Sequence, residues 1–158
     1  MREISAKLSS RDPSTRACCD RTPTPEMRHA FAQFNRGEYW AQHETLENVW
    51  RAERDATIRN FYKGILQVGV GFHHLRKGNY NGVLKVLGRG INYLKPYAPE
   101  CYGVDVARLV DEARAVYWRV REKGRLETGD WDGIELPQVH YTKSKKDGGE
   151  YVGANQPG

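Results

Sequence analysis

Apolar positions recur every three or four residues through five segments of this chain, and the two ends are polar. Residues spaced that way share one face of an α-helix. Met27, Ala30, Phe31 and Phe34 form such a face and predict a helix over residues 25–36. Thr24-Pro25-Glu26 marks its start, with a capping hydroxyl, a proline suited to the first turn and an acid at the positive end of the helix dipole. A second helix, over 38–54, gathers Tyr39, Leu46, Val49 and Trp50. A third, over 56–77, follows the capping Asp55. Its apolar arc is the widest, with Ile58, Phe61, Ile65, Val68, Phe72 and Leu75, so it is expected at the centre. Gly64, Gly69 and Gly71 each cost this helix about 1 kcal/mol in propensity, which implies close approach by a neighbour. A fourth helix is predicted over 80–94, broken by Lys95-Pro96, and a fifth over 104–123, closed by Gly124. The expected fold is all-α: about five helices forming a compact bundle of helical hairpins over 24–124. A disordered arm (1–23) precedes it and an extended or disordered tail (125–158) follows. Within the tail, 134–141 reads as a short extended stretch.

Two segments echo each other 41 residues apart. Phe34-Asn35-Arg36-Gly37-Glu38-Tyr39 and Leu75-Arg76-Lys77-Gly78-Asn79-Tyr80 both read as a helix end, a glycine turn and a new helix start. The first copy then carries His43, Glu44 and Glu47, where the second has Leu84, Lys85 and Gly88. That broken symmetry marks the place to look for chemistry.

Composition narrows the classes. At 158 residues with 39% hydrophobic content, the chain can build one core. The mean hydropathy of −0.77 reflects the polar flanks. No apolar run approaches the ~20 residues of a membrane span, and none near residue 1 suggests a secretory signal. The cytoplasm is therefore the expected compartment, and no membrane the expected partner. Cys18, Cys19 and Cys101 fit no disulfide framework and no zinc spacing, so free thiols are expected. The net charge of +5 resides in the helical part, where 16 basic residues face 11 acidic ones. The basic residues are scattered, with no Arg-rich arm, so nucleic acid is not the favoured partner.

On a helical wheel, His43 and Glu47 share one face beside the apolar arc, flanked by Trp40 and Trp50. A partly desolvated imidazole–carboxylate pair can serve as general acid and base, or hold a metal. One side of the third helix groups Lys63, Gln67 and His74. If it faces the second helix, His43, Glu44, Glu47, Gln67 and His74 converge. The candidates are therefore His43, Glu44 and Glu47 for catalysis, Trp40, Trp50, Gln67 and His74 for ligand binding, and His43, Glu47 and His74 for a divalent metal. The second helix alone, with one His and one or two carboxylates, offers only a partial ligand set, since a catalytic zinc usually takes three protein ligands, so the rest would come from the third helix. The alternative is structural: His43 pairs with Glu47, or Glu47 pairs with Arg51 at i+4, without catalysis.

His43-Glu44-Thr45-Leu46-Glu47-Asn48-Val49-Trp50, followed by Gln67 and by His74-Leu75-Arg76-Lys77-Gly78-Asn79, resembles the small helical family called domain of unknown function 309. The similarity covers about residues 31–95. It implies an all-helical fold with these residues as motif positions, and it brings no settled activity. The hairpin pattern is also similar to tetratricopeptide repeats, but its period is 41 rather than ~34 and there are two copies. Three functions follow as expectations. The first is a His/Glu pocket for a small ligand or divalent metal, extending to metal-assisted hydrolysis with Glu44 or Glu47 as base. The second is a non-enzymatic interaction module that docks a protein segment. The third is a nucleic-acid-associated basic protein. The residues leave open whether the chain is an enzyme. Apolar arcs this wide on short helices also allow a homodimer.

Overall fold

The computed structural model describes residues 19–142. Its helices are α1 (Pro25–Asn35), α2 (Tyr39–Ala52), α3 (Ala56–Arg76), α4 (Tyr80–Gly82), α5 (Gly88–Leu94) and α6 (Val106–Lys123). A π-helical segment, Val83–Leu87, joins α4 to α5. Residues 80–94 thus form one rod with a widened turn at its centre, where the sequence predicts a regular helix. Weak helix formers, Gly82 and Gly88, bracket the widened turn. A 3-10 turn, Lys95–Tyr97, ends the rod at the expected proline. A two-stranded antiparallel hairpin follows, β1 (Glu100–Cys101) with β2 (Val104–Asp105). The fold is predominantly α-helical.

Local chemistry sets the helix ends. The Thr24 hydroxyl accepts from Met27 N–H at 3.1 Å, with Pro25 in the first turn. Asp55 accepts from Thr57 N–H at 2.9 Å, and Asp105 from Arg108 N–H at 3.0 Å. Asp105 delays α6 to Val106, because Val104 and Asp105 belong to β2. The sequence echo survives as repeated turn geometry. Gly37 and Gly78 adopt φ of 81° and 74°. Glu38 N–H donates to Gln33 O, and Asn79 N–H to His74 O, each at 2.9 Å. In each turn a glycine in the left-handed region lets the next N–H close back on the preceding helix.

α3 lies at the centre, packed against α2 on one side and the 80–94 rod on the other. Phe31, Phe34, Phe61, Phe72, Ile65, Leu87, Leu94 and Leu109 are fully buried around it. Its small residues allow the contact. A Cβ on Gly71 would stand 2.9 Å from Leu87 Cα, and one on Gly90 would stand 2.7 Å from Val68 N. The predicted close approach is therefore made on both helices.

The described part of the tail, 125–142, is docked along the bundle. Leu126, Trp131, Leu136 and Val139 are buried. Asn35 holds the strap by accepting from Val139 N–H at 2.7 Å and donating to Val139 O at 3.0 Å. Val104 and Tyr141 form an isolated antiparallel bridge. Of the expected arm, residues 19–23 are described. Cys19 is buried and disulfide-bonded to Cys101. This corrects the free-thiol expectation for both cysteines: a sequence separation of 82 hides a pairing that the hairpin creates. The remaining expectations, for the arm before residue 19 with Cys18 and for the tail after 142, lie outside the described residues. Among the described residues, no helix is long and apolar enough to cross a membrane.

Candidate functional site

The first turn of α2 and the last turn of α3 meet at one end of the helix pair. Trp40 stands there 51% exposed. Its indole stacks on His43, one turn on, with ring centroids 4.7 Å apart and planes 17° from parallel. It also meets His73 of α3 at 5.4 Å, tilted 40°. His73 contacts His74 edge-on at 6.1 Å. The His74 ring lies against the rod's start: its Nδ1 is 3.2 Å from Asn79 Nδ2, while Asn79 Oδ1 accepts from Gly82 N–H at 2.9 Å. With Oδ1 occupied by the backbone, Nδ2 is left to donate, so the contact takes the tautomer in which His74 Nδ1 accepts and Nε2 carries the hydrogen. Trp40, His43, His73, His74 and Asn79 therefore form a continuous chain of contacts.

The carboxylates stand apart from this chain. Glu47 pairs with Arg51 at 3.3 Å, one turn along the helix, with much of both side chains in solvent. Such a pair contributes at most about 1 kcal/mol. Glu44 is exposed. The expectation of a desolvated His43–Glu47 pair gives way to the i,i+4 Glu47–Arg51 pair, because an exposed guanidinium is within reach. Trp50 is half-buried and takes Lys63 Nζ over its ring at 5.7 Å, with Tyr93 receiving the same ammonium at 5.1 Å. It therefore braces α2 against α3 and the rod. Among the described residues, no group of three or more His, Cys, Asp or Glu is gathered to hold a metal. His43, Glu47 and His74 are accordingly not assembled as a three-ligand set.

Between the two helices lies a polar seam. Gln42 is fully buried, its Nε2 donating to Tyr39 O at 3.2 Å and Leu66 O at 3.3 Å. Gln42 Oε1, His43 Nδ1 and Gln67 Oε1 are buried and have no hydrogen-bond partner within the protein. Buried atoms of this kind are uncommon and costly. Sequence reasoning missed Gln42 and His73. Gln42 was signalled by its place at i+3 and i−4 between the buried Tyr39 and Leu46. His73 lies about 100° from His74 on the wheel, and it is the partner helix that brings Trp40 to it.

Burial shifts two groups. His73 is held below the usual imidazole value, first by desolvation and then by electrostatic repulsion from the neighbouring His74 and Lys77. The Tyr39 hydroxyl is pushed up to about 12 by burial, against a smaller opposing effect of Arg76.

The chain is 27% identical over 85 residues to the uncharacterized protein YpuF of Bacillus subtilis (strain 168), covering 52% of this chain and 49% of that one. It is 28% identical over 53 residues to an uncharacterized protein of Aquifex aeolicus (strain VF5), covering 34% and 16%. The chain thus spans about half the length of the first relative and less of the second. No solved structure matches. Residues 27–86 match the model of the family described as Domain of unknown function (DUF309). That span takes in Trp40, His43, Glu44, Glu47, Trp50, Gln67, His74 and Asn79, and stops short of α5, α6 and the strap. Residues 27–86, less than half of the chain, are therefore similar to the DUF309 family.

Proposed function

We propose that this chain is a non-enzymatic interaction module, and that the Trp40 end of the α2–α3 pair docks a segment of another protein. The observation that carries this reading is the exposed Trp40 indole held by His43 and His73. Interface hot spots are enriched in tryptophan, and a side chain already fixed in place loses little entropy on binding. The imidazoles supply polar edges around the ring. Glu44 lies on the exposed side of the same helix and forms the acidic rim. Catalysis is less well supported, since Glu47 is paired with Arg51 and Glu44 stands in solvent, leaving neither carboxylate desolvated beside His43.

The test is crosslinking of the tagged chain in a cell extract, with crosslinked peptides mapped by mass spectrometry. Crosslinks should involve the peptides that carry Trp40 and His73. Trp40→Ala should weaken capture by at least ~2 kcal/mol in affinity, as expected for a hot-spot tryptophan, with thermal stability unchanged. Capture that is indifferent to Trp40→Ala and His43→Ala would overturn the proposal.

A further inference from the structure

A second exposed tryptophan stands outside the family match. Trp118 on α6 is 46% exposed. Tyr117 meets it edge-on at 5.4 Å, and the Arg121 guanidinium lies 5.1 Å from its centroid. Beside it, α6 and α5 form a groove of about 360 Å3, lined by Ile91, Asn92, Lys95, Arg114, Tyr117 and Trp118. No acidic residue lines it. Among the described residues, neither Lys95 nor Arg114 is paired with a carboxylate. On α6, Asp111 precedes Arg114 by one turn and Glu122 follows Trp118 by one, so carboxylates bound the basic stretch at both ends.

We infer that this groove binds single-stranded nucleic acid, with Trp118 stacking on a base and Lys95 and Arg114 meeting the phosphates. Nonspecific single-strand sites combine a cationic track with exposed aromatic faces. Both features are present, and the cations carry no internal counter-charge. Two other occupants fit less well. A second copy docked groove to groove about a twofold axis would set one basic patch against another, and like charges across an interface are repulsive. An acidic peptide would satisfy the charges and bury part of the indole, but its carboxylates and backbone offer no flat ring to stack on it, whereas every base does. The sequence hid this site because Lys95 and Arg114 lie 19 positions apart and read as scattered until the end of the 80–94 rod packs against α6.

The experiment is fluorescence anisotropy of a labelled oligothymidylate of about twelve nucleotides titrated with the full chain at several salt concentrations. Binding should weaken as salt rises. Trp118→Ala should reduce affinity at least about fivefold, the lower end for one stacked base. Arg114→Ala should lower the salt slope by about one, while Arg54→Ala, in the α2–α3 loop, stays within about twofold of wild type. Absence of binding at low salt overturns the proposal. So does equal loss in Arg114→Ala and Arg54→Ala, or wild-type affinity in Trp118→Ala. Trp118-dependent binding of polyglutamate without the oligonucleotide would reassign the groove to an acidic peptide. Self-association abolished by Trp118→Ala would reassign it to a second copy.

Discussion

Trp40 is held by two imidazoles from different helices, one reached through its own helix and one through packing. His43 lies three residues on and stacks because residues at i and i+3 are neighbours on a helix. His73 arrives only because α3 ends where α2 begins. Its depressed proton affinity has a measurable consequence. The folded chain keeps His73 neutral at a pH where the unfolded chain takes up a proton, starting near the ordinary value of 6.5. Stability is therefore present above about 6.5 and is lost as pH falls toward the lowered folded value. His73→Gln should flatten the melting temperature between about pH 7 and pH 5 relative to wild type; parallel curves would refute this. At this scale the motif residues were legible, because His, Glu and Trp are conspicuous on a helical wheel. Their contacts were less so. A wheel shows which residues share a face and cannot show that Arg51 takes Glu47 or that Trp40 reaches His73.

The helices themselves follow from periodicity and capping. Thr24, Asp55, Gly37 and Gly78 act where the sequence places them, since capping requires only neighbours within a few residues. The π turn at Val83–Leu87 was not legible, because residues 80–94 satisfy a helical pattern whether the turn is regular or widened. Packing of this rod on α3 rests on glycine. Gly71→Ala would place a methyl 2.7 Å from Leu87 Cβ and 2.9 Å from Leu87 Cα. The expected loss is about 1–3 kcal/mol from overpacking, only partly offset by the ~1 kcal/mol gain in helix propensity. Gly88→Ala meets only Tyr117 Cε2 at 3.4 Å and should be neutral or mildly stabilising. Urea unfolding of the two variants checks both, and equal midpoints would contradict the close-approach account.

Across the whole molecule, the strap and the hairpin join parts of the chain that are distant in sequence. Asn35 reaches Val139 across 104 positions. Asn35→Ala removes both hydrogen bonds and should speed amide exchange over 134–141 with little change in α3; unchanged exchange there would show that apolar burial alone holds the strap. Mapping of the non-reduced protein should recover a peptide linking Cys19 to Cys101, and two freely alkylated thiols at those positions would contradict the pairing. The sequence by itself determined the all-helical class, the central place of α3 and the segment that carries the family resemblance. These rest on period, capping and composition, which are local properties of the chain. The tertiary structure alone decided that Glu47 turns to Arg51, that Trp40 lies against His73, that Cys19 meets Cys101, and that Lys95 shares a groove with Trp118. Each of those contacts depends on how helices and strands pack in space, a relation that spacing along one chain does not encode.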